Sequence, residues 1–198
     1  MRQALFMGCI AAALALSGLS ATATESVATR MEAAKAAHAR GDIARAASEL
    51  EAVIADLHGR LGKALAEFLP APLASWQAEA PETQGLASAG GGFAVSRAYA
   101  RDDASLNATL ILDSPAVSSA ALQFAANAPA QPNMRRVKIG GEDALLRWDA
   151  TNRAGEIMLI LGNRVLLQIE GDSLGSSDLL VDAAKGWNIS GIRKYLAI

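Results

Sequence analysis

The chain holds a single cysteine, Cys9, and that residue lies inside a stretch expected to be cut away. What remains can form no disulfide, no thiolate metal site and no cysteine nucleophile. Histidine is almost as scarce. Only His38 and His58 occur, with no His-x-x-x-His pair to hold a metal. A Ser-His-Asp triad would have to borrow one of these two, and no Gly-x-Ser-x-Gly elbow is present. An excess of positive charge is missing too: 18 Lys and Arg stand against 20 Asp and Glu. Without a clustered positive field the chain is not built to bind nucleic acid or another polyanion.

Long hydrophobic runs are confined to the start. Met1-Arg2 supplies a positive charge, residues 5–19 are almost wholly apolar or small, and Ala21-Thr22-Ala23 offers the small–x–small pattern of a cleavage site. An apolar core of about 15 residues is short for a bilayer span, and no later run is long enough to cross one. This order predicts a signal peptide over residues 1–23, cleaved after Ala23, and a periplasmic or secreted protein. Removal of 23 of the 198 residues leaves 175 and takes away one charge, Arg2, so the mature chain carries −3. That length is ample for one core without staples.

Residues 24–69 carry a helical code rich in Ala, Glu, Arg and Leu. Gly41 is suited to end one helix and Asp42 to cap the next, which predicts a helical hairpin. Ile43, Ala47, Leu50, Ile54, Leu57, Leu61, Leu65 and Phe68 recur at spacings of three and four, one apolar stripe over the second helix. The first helix has a thinner stripe of Val27, Met31, Ala34 and His38. Gly62 leaves room for a kink or break. The stripe has two destinations, the protein's own sheet or a partner. Over residues 43–68 it runs about 39 Å, longer than a sheet face of 17–20 Å strands, so one end is expected to project. A partner protein or a second copy would cover that end. Leu50, Ile54, Leu57 and Leu61 are the candidate contact residues.

Residues 70–198 read as an α+β domain. Leu69-Pro70-Ala71-Pro72 stops the helix. Residues 80–92 are polar and small and predict a mobile loop. Phe93, Val95, Arg97 and Tyr99 alternate with small residues, as do Leu106, Ala108, Leu110 and Leu112 with polar ones, which predicts two strands. Ser114-Pro115 opens a helix that Asn127-Ala128-Pro129 closes. Two hairpins follow, turning at Gly140-Gly141 and at Gly162-Asn163. In the second, residues 157–161 are apolar on both faces, the mark of a central covered strand. Ser176 or Ser177 caps a helix ending at Gly186, and residues 188–196 allow one more turn. Tight turns between neighbours imply antiparallel pairing, with helices packing an α/β/α sandwich.

Three stretches carry a resemblance: residues 41–50, then Leu69-Pro70-Ala71-Pro72 with Trp76, then Gly90-Gly91-Gly92 with Arg97-Ala98-Tyr99. Together they resemble a family of uncharacterised exported proteins of Gram-negative bacteria. That family usually has glycine before the tryptophan, where this chain has Ser75. The element order is more distantly similar to the PsbP-like α/β/α sandwich, a fold used mainly for binding and assembly. The resemblance implies no catalytic residue.

No motif implies a cofactor. Gly90-Gly91-Gly92 precedes a strand, whereas phosphate-cradling loops precede a helix. Arg135, Arg136, Lys138 and Arg147 read as a solvated face. Arg97, on an otherwise apolar strand face, either snorkels to solvent or pairs with an acid, and it is the remaining candidate binding residue. Glu142, Asp143, Asp149, Glu170 and Asp172 lie near strand ends without a spacing that selects an acid–base pair. The expectation is a non-enzymatic binding or assembly module. The alternatives are a carboxylate-based hydrolase, which needs converging acids in a cleft, and a carrier of an apolar or lipid ligand, which needs a lined cavity.

Overall fold

Two helices lead the chain, each begun by a side chain that satisfies a free backbone donor. The computed structural model describes residues 26–125, 127–129 and 131–198, and the expected signal peptide and its cleavage site lie outside them. Ser26 accepts from the Thr29 N–H at the start of α1 (Val27–Ala39), and Asp42 accepts from the Arg45 N–H at the start of α2 (Ile43–Ala66). Between them Gly41 takes the left-handed φ of +76° that closes the first helix. The pair packs on small residues, with Ala34, Ala37, Ala46 and Val53 buried. Met31 and His38, expected on the inner stripe of α1, are exposed instead. α2 runs unbroken through Gly62, whose missing side chain lets the helix approach Thr83: a Cβ there would lie 2.2 Å from its Oγ1.

The sheet has eight antiparallel strands. They are β1 (Gln77–Ala78), β2 (Glu82–Gly85), β3 (Phe93–Arg101), β4 (Ala104–Leu112), β5 (Met134–Ile139), β6 (Glu142–Asp149), β7 (Ala154–Leu161) and β8 (Val165–Asp172). Their order is β1-β3-β4-β8-β7-β6-β5, with β2 pairing β3 beside β1. After β4 the chain crosses in α3 (Pro115–Phe124) to the far edge and returns strand by strand until β8 closes on β4. The β7–β8 hairpin is therefore central, as its two apolar faces require. Its loop differs in detail from a two-residue turn. Leu161 pairs with Val165, Gly162 and Asn163 are both left-handed, and the Arg164 N–H closes on the Leu161 carbonyl. Arg164 is thereby freed to make a bidentate pair with Asp113 at 2.7 and 2.8 Å.

Each face of the sheet has its own core. On one, Phe93, Leu110, Leu146, Ile157, Leu159, Leu161, Leu167 and Ile169 meet Leu65 of α2, Leu180 of α4 (Asp178–Lys185) and Ile192 of α5 (Ile189–Leu196). On the other, Leu145, Met158 and Leu166 meet Val117 and Ala120 of α3. The protein is thus an α+β sandwich with a helical hairpin at its front, and the last helix makes more than the single turn expected of it.

Residues 80–92 are not one loop. β2 occupies Glu82–Gly85 and a short 3-10 turn Ala87–Ala89. All four residues of β2 are exposed, so no alternation marks them. Their strand state comes from the edge of β3, where Thr83 faces Val95. At the opposite end Ser176 provides the cap bond of α4, accepting from the Asp178 N–H at 3.3 Å.

Candidate functional site

The seven-residue rhythm of α2 brings Ile43, Leu50, Ile54 and Leu57 onto one line of the helix, and all four are open to solvent at 60, 47, 51 and 47 %. The same stripe continues into the protein. Leu61 is half-buried against the main core, Leu65 is fully buried and Phe68 is half-buried. One stripe therefore serves two purposes. Its C-terminal half anchors the helix to the sheet, and its N-terminal half is left open to solvent. Fully burying such a side chain is worth about 1.5–3 kcal/mol, so covering four that are half covered would release about 3–6 kcal/mol. Single exposed apolar residues need no account, but four in a row on one helix do.

Beside this stripe lies a groove of about 610 Å³, walled by Glu51, Ile54 and His58 of α2 and by Thr83, Gly85 and Leu86 across from them. His58 stacks on Phe93 with ring centroids 5.2 Å apart and planes 16° from parallel. On the other flank α1 closes against the helix, and Arg30 meets Glu49 at 3.3 Å. Of the residues singled out in the sequence, Leu50, Ile54 and Leu57 thus share one exposed face, and Leu61 sits at its boundary with the core.

Arg97 stands elsewhere, on β3 and half-buried, with its Nε lacking a hydrogen-bond partner. It lies beside the phenol of Tyr99. Burial pushes the Tyr99 phenol up from 10.0; the charge and hydrogen bond of Arg97 pull it down by less. The basic residues of β5 are each used locally. Arg135 donates to Ser177, Arg136 to the carbonyls of Phe124 and Ala125 that end α3, and Lys138 meets Asp143 at 2.9 Å.

The strand-end carboxylates are also held apart in separate pairs. Glu142 meets Arg193 at 2.9 Å. Asp143 is held below 3.8 by Lys138, and Asp149 by the backbone and side chain of Asn152 and the N–H of Thr151. One convergence does exist, and sequence spacing gave no sign of it. Glu156 and Glu170 face each other across β7 and β8, and the Gln168 amide donates to both at 3.0 Å. Glu156 is only 8 % exposed and is also paired with Arg147, so its oxygens are fully engaged. Cross-strand register, invisible in the linear order, assembles this cluster. Among the described residues no group of three or more His, Cys, Asp or Glu could hold a metal.

An apolar ligand would need an enclosed space. A cavity of about 10 Å³ lies among Pro70, Leu73, Trp76, Tyr99, Leu106 and Ile169, room for about one water. No helix among the described residues is long and apolar enough to cross a membrane. Comparison with family models, with curated proteins and with solved structures returned no match, so the reading of this site stands on the chain's own geometry.

Proposed function

We propose that this protein is an exported, periplasmic binding or assembly module, non-enzymatic, whose contact surface is the solvent-exposed half of α2. The observation that carries the reading is the line of Ile43, Leu50, Ile54 and Leu57, each about half exposed, in register with side chains buried in the core. A helix laid into an apolar contact is a common mode of protein recognition, read from anchors at this spacing. Export rests on the order of charge, apolar run and small residues over 1–23.

The test compares two variants in cells. Leu50→Glu with Leu57→Glu should abolish association with the partner and leave the sheet intact by circular dichroism. His38→Ala, at an exposed position of α1 outside this face, should leave association nearly unchanged. N-terminal sequencing of the periplasmic protein should begin at Thr24. Loss of function from the His38 change alone would overturn the non-enzymatic reading, and recovery of the intact chain in membranes would overturn export.

A further inference from the structure

Resting on that reading, we infer that the partner is a second copy of this chain, docked antiparallel along α2. Leu50, Ile54, Leu57 and Leu61 alternate at spacings of four and three, the seam of a two-helix coiled coil. Seven residues fall only about 20° short of two full turns, so the seam stays in line over this length. Place a two-fold axis between Ala55 and Asp56. Leu50 then lies opposite the other copy's Leu61, and Ile54 opposite its Leu57, so the four central layers pair two large apolar side chains, and Ala47 meets Ala64 in the layer beyond. The same operation carries Ile43 at the hairpin tip onto Phe68, whose ring meets the half-exposed Tyr195 at 5.7 Å. Ile43, Leu50, Ile54, Leu57 and Tyr195 are thereby all covered by one contact.

The match of donor to acceptor selects this register over its neighbour. On the groove side of the seam, the axis sets Glu51 of each copy beside His58 of the other, an acceptor against a donor, twice. An axis moved half a heptad, to Ala52, would set Ala47 opposite Leu57 and the two Glu51 carboxylates beside each other. The packing of the two registers is similar, and the like-charge contact counts against the second. A parallel pair would match Val53 with His58 and Ala46 with Glu51, and would bring no donor to the carboxylate. On the remaining flank Arg60 is already tied to Asp56 at 2.8 Å in its own helix. The strip from Ile43 to Phe68 is about 39 Å long and about 10 Å wide, at most about 400 Å² because Leu61 and Phe68 already pack partly on their own core, and so no more than half a standard interface. The dimer is therefore concentration-dependent, with Kd on the order of 10 µM.

Analytical ultracentrifugation of the whole chain tests it. Wild type should move from monomer to dimer across about 1–100 µM. Leu57→Glu should weaken association at least about 30-fold with an unchanged circular dichroism spectrum. Glu51→Lys and His58→Glu should each weaken it about five-fold or more. An equimolar mixture of those two variants should associate better than either alone. In the mixed pair the introduced lysine of one copy meets the introduced glutamate of the other, and one native contact forms as well. A wild type that stays monomeric to about 500 µM overturns the second copy. In that case capture of another envelope protein by the same face would still leave the binding reading standing. Single variants that weaken the dimer without rescue in the mixture overturn the antiparallel register.

Discussion

The phenol of Tyr99 donates its hydrogen to the carbonyl oxygen of Pro70 at 2.6 Å, joining a core strand to the linker that leaves α2. Tyr99 is 5 % exposed, so the carbonyl has no ready replacement for that donor. Tyr99→Phe should cost about 1–3 kcal/mol in a urea titration at neutral pH. The pH dependence has a definite sign. The folded phenol keeps its proton above 10.0, so its stabilisation is complete below pH 10 and declines as pH rises through the folded value. The gap between wild type and Tyr99→Phe should therefore be constant up to about pH 9.5 and narrow above pH 10. A gap that widens with pH would contradict the burial of this group.

At Gly62 α2 closes on Thr83 of β2. In an exposed helix, alanine for glycine gains about 1 kcal/mol. Here the new Cβ would lie 2.2 Å from Thr83 Oγ1, 2.6 Å from its Cγ2 and 3.0 Å from its Cβ. Gly62→Ala should therefore lower stability by about 1 kcal/mol or more, as β2 and the helix are pushed apart. Adding Thr83→Ala should recover most of the loss in thermal melts. Equal melting temperatures for the single and double variants would show that the contact is not the cause.

Leu159, on the central strand β7, is 1 % exposed, whereas Leu122 on α3 is 74 % exposed. Leu159→Asp should cost about 3–5 kcal/mol, since it buries a charge with no partner, and Leu122→Asp should fall within about 0.5 kcal/mol of wild type. Arg164 is a poor control for this comparison because it holds Asp113 in two hydrogen bonds. Similar urea midpoints for the two aspartate variants would remove β7 from the centre of the sheet.

These three positions mark how far the sequence could be read. Leu159 was legible because a strand buried on both faces shows apolar residues at every position, and that pattern needs no knowledge of neighbours. The stripe of α2 was legible for the same local reason. Its lateral neighbours were not: Val53 and Ala46 are buried because α1 happens to close on that side. β2 has no pattern of its own and exists because β3 offers an open edge. Gly62 looks like a weak point in a helix until Thr83 is brought against it. The Glu156–Gln168–Glu170 cluster depends on cross-strand register, which one residue of slip would destroy. Periodicity shows which face a residue takes, and only tertiary pairing shows what meets it there.

Ser75 carries the last expectation, and its backbone states it. The chain turns between Leu73 and Trp76, closed by the Trp76 N–H donating to the Leu73 carbonyl at 3.0 Å. Ser75 holds the third place of that turn at φ +68°, where glycine is favoured because a Cβ crowds the neighbouring carbonyl. Holding a non-glycine residue there costs about 1–2 kcal/mol. Glycine would relieve that strain and give back part of it through the greater freedom of the unfolded chain. Ser75→Gly should therefore stabilise the protein by about 0.5–1 kcal/mol. Ser75→Val, β-branched and ill suited to the left-handed region, should destabilise it. The turn delivers Trp76 into the core at 5 % exposure, with the Arg101 guanidinium 4.9 Å from its ring centre. Tryptophan fluorescence should thus report both variants directly, with the emission unshifted in Ser75→Gly and the melting temperature raised. A lowered melting temperature for the glycine variant would mean that the serine side chain contributes more here than its backbone strain takes away.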